Sequence, residues 1–159
     1  MRFLIGAGQD AVERARPPVR WFLVFALLLV AALAIERGLA GGLSPDGVAA
    51  HYLGQDGAEP LGAVALWEEV HVNAFLYGFL LVMIGSIHVA APMSARPRAL
   101  LLAGGGAAAV ADLFAPFAIV SAHGLGALRV VTFAATVALL LVGIVVAFLR
   151  FGRPVKNGV

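Results

Sequence analysis

The chain has no cysteine, two tryptophans, two tyrosines and only 13% charged residues among its 159. Without cysteine there is no disulfide framework, thiolate metal site, covalent c-type haem attachment or cysteine nucleophile. The scarcity of charge, beside 62% hydrophobic residues and a mean hydropathy of +0.98, all but excludes a water-soluble enzyme. A nucleotide-binding loop is also missing, because Gly104-Gly105-Gly106 lies inside an apolar run with no lysine after it. No Ser/His/Asp arrangement can be defended, and no pair of broken half-helices suggests a transporter repeat.

What is present is four apolar stretches: Trp21 to about Leu39, about Leu66 to Ala91, Ala99 to Val120, and Leu125 to Leu149. A spanning helix needs roughly 20 apolar residues to cross about 30 Å of hydrocarbon, so each qualifies. The expected fold is all-α, an integral membrane bundle of four transmembrane helices over 21–150. A segment 1–20 precedes it, a tail 151–159 follows, and one sizeable loop, 40–65, joins the first two spans. Ala32-Leu33-Ala34 resembles a signal-peptidase site, but the long segment before the first span favours an uncleaved anchor. Ile5 to Arg16 predicts a short polar helix stopped by Pro17-Pro18. In the loop, Ser44-Pro45-Asp46-Gly47 predicts a short surface helix from Pro45 through Tyr52, capped by Ser44.

Charge orients the bundle. Nine basic residues fall on one side: Arg2, Arg14, Arg16, Arg20, Arg96, Arg98, Arg150, Arg153 and Lys156. Only Arg37 and Arg129 fall on the other, so both termini are expected in the cytoplasm of a bacterium and the 40–65 loop outside. The formal net charge of +2 and pI near 9.7 therefore express membrane orientation rather than nucleic-acid binding. Trp21 and Trp67 should anchor opposite interfaces.

Ionisable residues inside a bilayer are expensive, which makes each a candidate for function. His71, one turn into the second span, and His123, at the link between spans three and four, are expected at similar depth. Two imidazoles facing each other across a bundle core are the ligand pair of a b-type haem, which needs no cysteine. The His71 face continues through Phe75, Gly78, Val82 and Gly85, with room for a porphyrin or for close helix packing. Asp112 lies near Pro116, whose ring frees the Asp112 carbonyl and makes a polar pocket where the carboxyl could meet His71 or Asn73. Asp112 and Glu68 are thus candidates to surround such a cofactor. His51, His71 and His123 are candidate metal ligands, although no metal-binding spacing supports them. His88 is expected to bond a carbonyl or a phosphate, and Arg129 to snorkel or to pair with Glu68 or Glu69.

Ser44-Pro45-Asp46-Gly47-Val48, then Tyr52-Leu53-Gly54, then Glu68-Glu69-Val70-His71-Val72-Asn73 resembles a group of small, mostly uncharacterised bacterial four-helix membrane proteins. In that group an S-P-x-G-V…Y-x-G loop precedes a helix opening with glutamate and an H-x-H pair. His71 matches the first histidine; Asn73 stands where the second would be, so a ligand role there does not carry over. The resemblance implies fold and topology rather than an activity; members of the group are suspected partners of electron-transfer systems, without a settled chemistry.

Two functional expectations remain open. One is a non-catalytic accessory subunit, packed with other subunits or copies in a larger electron-transfer or photosynthetic complex of the inner membrane. The other is an electron-transfer subunit holding one haem b near the outer face. A stand-alone enzyme is disfavoured.

Overall fold

The computed structural model describes residues 9–54, 59–90, 93–122 and 125–152. Five helices follow in order: α1 (Gln9–Ala40), α2 (Pro45–Leu53), α3 (Ala63–Ala90), α4 (Ala95–Ala122) and α5 (Gly126–Gly152). Four of them are long and apolar enough to cross a membrane, over Ala15–Ala40, Ala63–Ala90, Ala95–Ala122 and Gly126–Arg150. No strand occurs among the described residues. His123, Asp56, Arg2, Arg153 and Lys156 lie outside them.

The fifth element is the short helix of the loop. Ser44 is extended, and its Oγ accepts from the Gly47 N–H at 3.1 Å while Pro45 occupies the first turn, where its missing N–H costs nothing. The chain returns from α2 through a bond from the Leu61 N–H to the Tyr52 carbonyl, 3.1 Å.

One local expectation fails. Pro17 and Pro18 do not stop a helix; α1 runs through both. Proline's fixed φ of about −65° is helical, so the pair removes two hydrogen bonds without forcing an exit from the helix. The freed carbonyls belong to Glu13 and Arg14, just before the apolar span opens at Ala15, where water can solvate them.

Inside the bundle, α1 presents Leu23, Ala26, Val30 and Leu33, α3 presents Tyr77, Leu80, Ile84 and Ile87, and α5 presents Leu140, Ile144 and Ala147, all buried together with Ala109 of α4. Steps of three and four residues on each helix are those of a left-handed seam of interlocked side chains. A second cluster at the α2 end joins Val48 and Tyr52 to Leu66 and Ile119. Because lipid tails are as apolar as leucine, such helices associate through close packing and interhelical polar bonds. Close packing is most evident at Gly126, where a Cβ would stand 2.0 Å from the Pro45 carbonyl oxygen. The first turn of α5 is thereby seated on the backbone that opens α2.

Candidate functional site

At the α2 end all five helices send a polar side chain to one place. Glu69 of α3 is the hub. It accepts from Arg129 Nη2 of α5 at 2.6 Å, from the Tyr52 hydroxyl of α2 at 2.8 and 2.9 Å to its two oxygens, and from Arg37 Nη1 of α1. Arg37 also donates to the Tyr52 hydroxyl at 3.1 Å, and its guanidinium stands 5.4 Å from the centre of the Phe133 ring. From the hub the network runs deeper. Arg129 Nη1 is 3.2 Å from Asp112 Oδ1 of α4, whose carboxylate also accepts from Tyr77 Oη at 2.8 Å and from Thr132 Oγ1 at 3.3 Å.

Burial makes the arrangement consequential. Asp112 is fully buried and Arg129 only 1% exposed. An isolated charge at such a place would cost several kcal/mol, and here each is met by an opposite one: two guanidinium groups, two carboxylates. Arg129 Nε and Nη1 have no hydrogen-bond acceptor, and beside Arg129, Arg37 and Tyr52 lies a void of about 10 Å³ bounded also by Gly41 and Gly42. That is room for roughly one water. Outside the spans, burial pushes the Tyr52 phenol up to about 12, with the nearby arginines opposing the rise. Tyr52 therefore stays a neutral donor to Glu69.

The candidates singled out from sequence are distributed differently. Asp112 is in the network, but its partners are Tyr77, Thr132 and Arg129 rather than His71 or Asn73. Arg129 pairs with Glu69, one of the two acids expected for it. His71 is exposed on the outer face of α3, beside Trp67 and Glu68 in a wide, shallow depression of about 710 Å³. A ring held by His71 would lie against the outside of the bundle, not in its core. His51 is exposed on α2, its ring edge-on to Tyr52 with centroids 4.9 Å apart. His123 lies outside the described residues, and among the described residues no three His, Asp or Glu side chains gather as metal ligands. At the opposite end, His88 is buried with Nε2 3.0 Å from the Gly143 carbonyl, the kind of partner expected for it. Thr136 donates to the Thr132 carbonyl of its own helix at 2.9 Å.

Arg37 and Tyr52 were not singled out as site residues from sequence, and Glu69 entered only as one of the two acids for Arg129. One signal was available: Arg37 and Arg129 are the two basic residues off the basic side, and a buried pair of cations needs a buried pair of anions.

The model of a family described as a transmembrane helical domain matches residues 42–156. No curated protein and no solved structure matches the chain.

Proposed function

From the premise that the chain belongs to this transmembrane helical domain family and is a multi-pass membrane protein in contact with lipid, we propose that it is a non-catalytic accessory subunit. It packs within a larger electron-transfer complex of a bacterial inner membrane, respiratory or photosynthetic, with both termini cytoplasmic. The observation that carries this reading is the outward face of α3. His71 is eight residues past Ala63, about 12 Å along the helix, and it is exposed together with Glu68. Ionisable side chains at such depth almost always face protein or water rather than acyl chains. Arg37, Glu69, Asp112 and Arg129 find their counter-charges within the bundle, so the outer pair is left for a neighbour to cover.

Extraction in a mild detergent tests the proposal. The expected result is migration on a native gel as a discrete complex of fixed stoichiometry, with a photo-crosslinker at position 72 or 75 joining the chain to another subunit. Migration as a lone monomer, with crosslinks to lipid only, would overturn it. A haem b bound through His71 would sit on the same face, at a subunit boundary, and the same preparation answers for it: a Soret band lost in His71→Ala would replace the cofactor-free reading. For topology, alkaline phosphatase should be active when inserted in the loop 40–65 and inactive at the C-terminus.

A further inference from the structure

A separate cavity of about 260 Å³ opens between α1 and α3, beneath α2. Glu36 and His51 stand exposed at its mouth, Arg37 and Glu69 line it half-buried, and Asn73 is buried in its wall, 7% exposed. No hydrogen bond to a described residue occupies the Asn73 carboxamide, and its atoms are not among those cut off from solvent, so its donor and acceptor reach the cavity surface. A ligand with complementary groups can take the place of water there.

We propose that this cavity binds the headgroup of a quinone. Three observations carry the inference. The first is depth: Asn73 lies seven residues past Leu66, where the apolar stretch opens, about 10 Å along α3, so the inner end of the cavity reaches the start of the acyl chains, where a lipid-soluble ring can arrive. The second is polarity. Arg37 is already paired with Glu69, so the inner walls offer no unbalanced charge and favour a neutral ligand. The third is hydrogen-bonding chemistry. The Asn73 N–H₂ donates to a quinone carbonyl and its Oδ1 accepts from a quinol hydroxyl, while the His51 imidazole at the mouth can do either for an oxygen at the far side of a ring. The volume is just below the roughly 300–1,000 Å³ usual for drug-sized ligands, enough for one substituted ring with its tail outside. The site is independent of the outer α3 face and of the complex proposed above.

Photolabelling of the full chain in nanodiscs with an azidoquinone, with decylubiquinone as competitor and peptide mapping by mass spectrometry, tests it. Label is expected on residues 36–40 and 65–73, falling at least fivefold with competitor and at least fivefold in Asn73→Leu. Ala65→Phe, which fills the wall, should do the same and keeps the test open if Asn73→Leu fails to fold. His71→Ala should label as the unaltered chain does. Label spread over lipid-facing side chains without competition, or unchanged label in folded Ala65→Phe, overturns the proposal.

Discussion

Arg129 and Asp112 show how a single residue can be costly and indispensable together. Both are buried, so removing one strands the other: Arg129→Met should destabilise the bundle by about 3–5 kcal/mol in reversible unfolding from bicelles. Replacing both, as Arg129→Met with Asp112→Leu, should recover much of that loss, because the stranded charge is gone. A double variant no better than the worse single would show that the pair contributes more than mutual neutralisation. Tyr52 makes a different prediction. In Tyr77→Phe, where it is the only tyrosine, phenolate absorbance should rise near pH 12 instead of near 10. Its folded-state pKa is raised, so the stability it lends is whole below about pH 10 and is lost as pH climbs from there through 12. At this scale the sequence was partly legible. That Arg129 wants an acid follows from charge alone. Which face of α3 turns inward does not, because His71, Phe75, Gly78 and Val82 are exposed on the outside of the bundle while Val70, Asn73, Tyr77 and Leu80 are buried inside it, and both sets are predominantly apolar.

Among the elements, α2 was the most readable, since capping and turn chemistry are local: Ser44, Pro45 and the helix they open need no tertiary contact to be anticipated. Ser44→Ala should cost about 1 kcal/mol and raise amide exchange in α2 first. The proline pair of α1 was less readable, because whether a helix survives its own lost bonds depends on where water lies. Glycines divide by what surrounds them. Gly106 has open space around its would-be Cβ, so Gly106→Ala should be neutral or stabilise by up to about 1 kcal/mol through helix propensity. Gly126→Ala drives a methyl into the Pro45 carbonyl and should lower the melting temperature sharply. Equal effects from the two substitutions would mean that α5 does not rest on α2 as described.

For the whole molecule, four spans were legible from hydropathy, because crossing a bilayer is a matter of length and apolarity. The convergence of four helices on Glu69 was not, since Arg37, Tyr52, Glu69 and Arg129 are separated by up to 92 positions and meet only when every helix is placed. The network also imposes an order in time. Asp112 enters the membrane with α4, but its counter-charge, Arg129, is on α5, which leaves the ribosome after it. Between those moments the nascent protein carries an acid in lipid with no cation to answer it. A chain ended after residue 122 should therefore be degraded within minutes in a pulse-chase, while Asp112→Asn in the same truncated chain should prolong its life; the arrival of α5 is what silences that signal.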